Sequence, residues 1–201
     1  MTPSPTDISL FLEINHFAQR TAWLHAPLKL YANYGILLFA GLLVAGWLVA
    51  RREGLAEMAA LVWAGLGTLL AVAINQPLVQ LFHEARPYTN LHQMLVLAQP
   101  STDPSFPSDH STAAGAMTAG LFLVDPVLGW VSLVFALVMA FSRVYIGAHY
   151  PYDVLAGLAL GAAVVLLGYL VVRKPLTQLT TRMAGTRLSP LVTASGAISE
   201  V

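Results

Sequence analysis

Five stretches of this chain, approximately Leu28–Ala50, Leu55–Phe82, His110–Val124, Pro126–Ile146 and Tyr152–Val172, are apolar along most of their length. A bilayer core takes roughly 20 apolar residues per helix, and inside lipid every backbone polar group must be satisfied within the span. The pattern predicts an all-α, polytopic membrane helical bundle of about five transmembrane helices. The third stretch is short, so its start is expected in a dip of the surface. Charged residues make up 10% of the chain, against about 25% in a soluble domain, which removes the soluble alternative. The formal net charge of zero gives no reason to expect a nucleic-acid partner. The chain has no cysteine, which excludes disulfides, thiolate metal sites and a thiol nucleophile.

Residues 7–24 carry a different pattern. Ile8, Phe11, Ile14 and Phe17 recur at helical spacing, while Asp7, Glu13, His16 and Arg20 are polar. Polar groups in mid-span are costly, so an amphipathic interfacial helix is expected rather than a sixth span. The N-terminus lacks a basic n-region and a small-residue cleavage site and is expected to be retained. Three parts follow: an N-terminal segment over 1–27, a membrane domain over 28–174, and a flexible tail over 175–201 rich in Thr, Ser, Gly and Ala. Arg51 and Arg52 follow the first span, and Arg173, Lys174, Arg182 and Arg187 follow the fifth. Basic residues mark the cytoplasmic side. The two clusters agree in parity, which puts loops 83–109 and 147–151 outside. Trp23, Trp47 and Trp130 read as interfacial belt residues.

The same parity gathers polar residues at the outer edge. Arg86 follows span two, Ser108, Asp109 and His110 open span three, Arg143 ends span four, and His149 and Asp153 open span five. Two guanidiniums suit phosphate oxygens. The turn in SFPSDHST leads into a helix N-terminus, whose free N–H groups bind anions, and Ser108 is placed to cap that helix or to donate to the anion. His149 and Asp153, at i and i+4, allow a carboxylate to fix the imidazole tautomer and leave Nε2 free to attack. Pro151 between them is tolerated in the first turn of a helix. His110 is then the general acid for the leaving oxygen. The neighbouring arginines repel a cation, so no metal and no other cofactor is expected. No GxxxxGK[ST] or HExxH is present. Asn75 and Gln76, with Pro77, are costly in mid-span and are expected either to bond within the bundle or to reach the head group. His83, Glu84, Tyr88, Asn90 and His92 read as solvated loop residues.

Arg86-Pro87, Pro107-Ser108-Asp109-His110, and Ser142-Arg143 followed by His149 and Asp153 resemble the three motifs of the type 2 phosphatidic acid phosphatase superfamily, over about residues 28–172. FHEARPY and SFPSDHST are similar to the branch of bacterial undecaprenyl-diphosphate phosphatases of the bacitracin-resistance type. The resemblance implies metal-independent removal of phosphate from a lipid phosphate or diphosphate through a phosphohistidine, which the parity of the basic clusters puts on the outer side of the cell membrane. His149 is then nucleophile, Asp153 its orienting partner and His110 the acid. Arg86, Ser108, Asp109 and Arg143 hold the phosphate, Asp109 through its backbone N–H. Two departures stand out. Asp109 replaces a common glycine, and Val79 replaces the first motif's lysine, with His83 as the candidate substitute. A phosphatidate or phosphatidylglycerophosphate phosphatase, and a non-catalytic lipid-binding or transport protein, remain the alternatives.

Overall fold

The computed structural model describes residues 2–194. In chain order the helices are α1 Pro5–Arg20, α2 Ala22–Tyr34, α3 Ile36–Glu53, α4 Leu55–Phe82, α5 Pro87–Asn90, α6 Asp109–Val124, α7 Pro126–Tyr145, α8 Pro151–Ala184 and α9 Ser189–Val192. No strand occurs among the described residues. By length and composition α4, α7 and α8 can cross a bilayer, and α2 with α3, bent by 55° at a short break, passes the same test only as a pair, as a broken span or a re-entrant loop.

The short third stretch now has a physical reason. α6 has 16 residues, and eleven of them are buried. It is the centre of the bundle, packed by α4, α7 and α8, so the helices around it take the contact with lipid. Its Ala and Gly content lets those neighbours come close. A Cβ at Gly161 of α8 would lie 2.0 Å from the Thr112 carbonyl oxygen, and one at Gly157 would lie 2.6 Å from that of Ser108. The α6 and α8 backbones therefore touch directly along the stretch that carries the polar residues of both. Trp63 of α4 donates from Nε1 to the Val165 carbonyl of α8 at 2.8 Å, closing the third side.

Three sequence expectations change. First, the span Leu28–Ala50 is not one helix: it breaks at Gly35, where a Cβ would meet Met139 of α7 at 2.9 Å. The missing side chain admits α7 at the bend. Second, the 7–24 helix ends at Arg20, and its buried stripe is Asp7, Phe11, Asn15 and Ala18. Of the expected apolar face only Phe11 is buried, and Phe17 is 45% exposed. Polar positions are buried here because they bond to the protein. Asp7 accepts from the Tyr152 N–H at the start of α8, and Asn15 pairs with both backbone groups of Leu95. Third, the expected flexible tail is helical to Ala184, and its next residues dock on the basic end of α3. Arg51 Nη2 donates to the Thr193 carbonyl at 3.1 Å, and Trp47 Nε1 to that of Leu191 at 2.8 Å. Residues 195–201 of that tail lie outside the described residues.

Candidate active site

α7 ends at Tyr145, and α8 begins at Pro151, which takes the first helical position as expected. The five residues between make a tight turn. Gly147 has φ +81, and a Cβ there would lie 2.9 Å from Met94 and 3.1 Å from the Leu95 carbonyl. Glycine meets both the backbone angle and the space. The turn leaves His149 3% exposed, directly above Asp153.

The two faces of the His149 ring have opposite surroundings. On one, Arg143 Nη2 lies 3.3 Å and Arg86 Nη1 3.4 Å from Nε2. A guanidinium only donates, so Nε2 presents its lone pair. On the other, Nδ1–H donates to the Ser105 carbonyl at 2.9 Å, while Asp153 Oδ2 stands at 3.5 Å. The tautomer is thus held first by a backbone carbonyl. Asp153, the expected partner, is in ion-pair range of Nδ1 and also accepts from the Ser105 hydroxyl and from the Tyr150 N–H at 2.8 Å. Ser105 carries both links and was not singled out from sequence.

The arginines are themselves held. Arg86 Nε donates to the Asp103 carbonyl at 2.8 Å and Nη1 to that of Ala148 at 3.2 Å. Arg143 Nη1 reaches the Ala32 carbonyl at 3.3 Å, and its buried Nε has no partner among the described residues. Ser108 occupies the N-cap of α6 but makes no side-chain cap. Its hydroxyl is buried without a partner among the described residues, while its N–H donates to the Asp153 carbonyl at 3.1 Å. Unused donors on Ser108 and Arg143, together with the first-turn N–H groups of α6, form an anion-seeking set. His110, in that first turn, lies within electrostatic reach of Arg143, His149 and Arg86.

Asp109 stands apart from this set. Its carboxylate takes hydrogen bonds from Asn75 and Gln76, the latter at 3.0 Å. The two amides expected to be costly in α4 therefore hold the one acid that would repel an anion, and only the Asp109 backbone remains toward the helix N-terminus. His83 does not stand in for the missing lysine. It is exposed and bonds back to the Gln80 carbonyl, and Val79 is buried. Glu84, read from sequence as a solvated loop residue, is 3% exposed. No periodicity marks Ser105 or Glu84, because both sit in irregular chain whose burial depends on α8 and the 146–150 turn.

Burial above all, aided by the Arg143 and Arg86 charges, pushes the His149 ring down from 6.5 to about 4 against the pull of Asp153. The ring is therefore a neutral base at physiological pH. The linkage has a definite sign. Below pH 6.5 the unfolded chain gains a proton that the folded ring refuses, so this group's contribution weakens folding as pH falls from 6.5 towards 4 and is constant above. NMR titration of the labelled ring should give a midpoint near 4, and a midpoint at 6.5 or above would contradict the burial argument.

The PAP2 superfamily pattern matches residues 60–176. Undecaprenyl-diphosphatase BcrC of Bacillus subtilis (strain 168) is 28% identical over 179 residues, covering 87% of this chain and 89% of that one. Among solved structures, Aquifex aeolicus LpxE aligns with TM-score 0.60 at 23% identity, over 80% of this chain and 92% of that one. A PAP2-type phosphatidylglycerolphosphate phosphatase from Bacillus subtilis aligns with TM-score 0.58 at 22% identity, over 85% and 88%.

Proposed function

Since this chain belongs to the PAP2 superfamily, we propose that it is a multi-pass membrane lipid phosphatase that cleaves an isoprenoid lipid diphosphate, undecaprenyl diphosphate to the monophosphate and phosphate, through a phosphohistidine. One observation carries this reading: two guanidiniums converge on the unprotonated Nε2 of a buried histidine whose Nδ1–H is already engaged. Nε2 attacks the terminal phosphorus as the bond to the bridging oxygen breaks. His110 gives that oxygen its proton. Arg86, Arg143, the Ser108 hydroxyl and the first-turn N–H groups of α6, that of Asp109 included, balance the charge on the three equatorial oxygens. Water, giving a proton to His110, then displaces His149 and frees phosphate.

Two features support the substrate. The similarity to undecaprenyl-diphosphatase BcrC covers 87% of the chain. A groove of about 960 Å³, bounded by α3, α4 and α6, is lined almost wholly by apolar side chains. Its outer end reaches Val72 and Ala113, one turn from Asn75 and His110, and its far end reaches Trp47 and Leu191. A tail that follows the length of the bundle suits a long isoprenoid. The basic residues Arg51 and Arg52 lie at the far end from the site, beside the end of α8, whose Thr180 hydroxyl donates to the Leu55 carbonyl at 2.9 Å. The positive-inside rule supports a site on the outer face of the cell membrane.

The test is phosphate release by the purified protein in excess chelator, from undecaprenyl diphosphate, phosphatidate and phosphatidylglycerophosphate in parallel. Preference for the diphosphate, undiminished by chelator, is the expected result. Faster turnover of a glycerolipid would move the substrate, a strict divalent-cation requirement would remove the metal-free route, and no release from any of the three would remove the enzyme.

A further inference from the structure

Behind the Nδ1 face of His149 lie three buried carboxyl groups from three separate parts of the chain: Asp153 at 0% exposure, Glu84 at 3% and Asp7 at 2%. Three negative charges packed together out of water are prohibitively costly, so their protons must be assigned. Asp7 is committed to the Tyr152 N–H at 3.0 Å. Asp153 Oδ2 is supplied with donors, from the Ser105 hydroxyl and the Tyr150 N–H, with His149 Nδ1 close by. These favour its anionic form. Asp153 Oδ1 is buried and has no hydrogen-bond partner among the described residues. The Glu84 carboxyl, 3% exposed, lies against Asp153, near enough for the two to act on one another. Two carboxyl groups in such contact must share a proton, because a carboxylate can only accept.

We infer that Glu84 is a neutral carboxylic acid that donates to Asp153 Oδ1, and that it is a positioning residue for the His149–Asp153 pair. The inference rests on the reading of His149 as nucleophile. It explains the orphaned oxygen and keeps one negative charge behind the ring instead of two. That single charge matches the one positive charge that develops on the imidazole when Nε2 takes the phosphoryl group. It also gives the segment FHEARPY a double role. Arg86 stands at the Nε2 side of His149, while Glu84, two residues earlier, stands behind Asp153. The Glu84 carbonyl accepts the Ser105 N–H at 2.7 Å, so Glu84 also braces the loop whose carbonyl holds Nδ1–H. Glu84 lies beyond the end of α4, where burial and then the Asp153 charge hold its proton well above the ordinary carboxylate range. Among the described residues the titratable groups facing it are Asp153 of α8, Asp7 of α1 and Tyr150 of the preceding turn, with His149 beyond Asp153.

Infrared spectra of the purified wild-type protein at neutral pH should contain the carbonyl band of a protonated carboxylic acid that Glu84→Gln removes and Asp7→Asn leaves in place. Glu84→Ala should lower kcat about 10- to 100-fold, the usual scale for an outer partner of a catalytic group, with KM little changed. Glu84→Gln, whose amide can donate to Oδ1, should restore most of that loss. In the wild type, phosphate release should fall at alkaline pH as Glu84 ionises beside Asp153, and this limb should be missing from Glu84→Gln. No Glu84-dependent acid band, an alkaline limb unchanged in Glu84→Gln, or an unchanged kcat in Glu84→Ala would each overturn the inference. The band present without phosphate release from any lipid would overturn the proposed reaction and leave the Glu84 proton where it is assigned.

Discussion

Replacement of His149 by alanine is expected to lower phosphate release by roughly 10⁴-fold or more, to the level left by binding and charge stabilisation alone. The substitution removes the one group that presents an unprotonated nitrogen between Arg86 and Arg143. None of its neighbours replaces it: the Ser105 hydroxyl is bonded to Asp153, and His110 is assigned to the leaving group. The fold should survive. A lost buried hydrogen-bonded side chain costs about 1–3 kcal/mol, and the helices that carry the site are joined by the direct α6–α8 contacts at Gly157 and Gly161. Circular dichroism and thermal unfolding in detergent check the fold. Quench experiments with labelled lipid diphosphate should trap an acid-labile, base-stable phosphoprotein in the wild type and none in the variant. Turnover at the wild-type level, or label retained without His149, would end its role as nucleophile.

The second large effect is expected from Asp153→Asn. In a serine-protease triad the equivalent change costs about 10⁴-fold, because the imidazole adopts the wrong tautomer. That cause is absent here. The Ser105 carbonyl holds Nδ1–H at 2.9 Å whatever the charge on residue 153. An asparagine can keep its oxygen on the Ser105 and Tyr150 donors and turn its amide to the Oδ1 side. The change therefore removes the charge of residue 153 and reverses its hydrogen bond with Glu84, while the tautomer is kept. At 3.5 Å and an effective dielectric constant of about 20, the attraction to a developing imidazolium is about 5 kcal/mol, or roughly 10³-fold in rate with the solvent discount. The loss should fall on kcat, since Asp153 does not touch the phosphate. Single-turnover kinetics separate the two parameters. A variant with more than a tenth of wild-type kcat would show that Asp153 acts by geometry alone.

Both expectations depend on contacts of different range in the chain, and that difference explains which features are legible in the sequence. Membrane residence follows from hydropathy, which depends only on the solvent each residue prefers. The His149–Asp153 pair follows from helical spacing, with Pro151 opening α8 where its missing N–H does no harm. The gathering of Arg86, Ser108, His110, Arg143 and His149 at one end of the bundle follows from parity once spans are counted. These are local or additive properties, so a linear reading recovers them.

The rest depends on packing between segments tens of residues apart. Asp109 meets Asn75 and Gln76 across 34 and 33 positions, and Ser105 meets His149 across 44. No periodicity encodes those distances. Glu84 has the sequence signature of a solvated loop residue because polar loop side chains usually face water, and only the closing of the 83–109 connection over α8 shuts it in with Asp153. The first span reads as continuous because hydropathy does not register Met139 arriving at Gly35. Spacing along one helix is set by the backbone's own hydrogen bonds, and lipid affinity by composition. Which carboxyl keeps its proton, and which carbonyl holds the reactive ring, are set by neighbours that only the folded chain assembles.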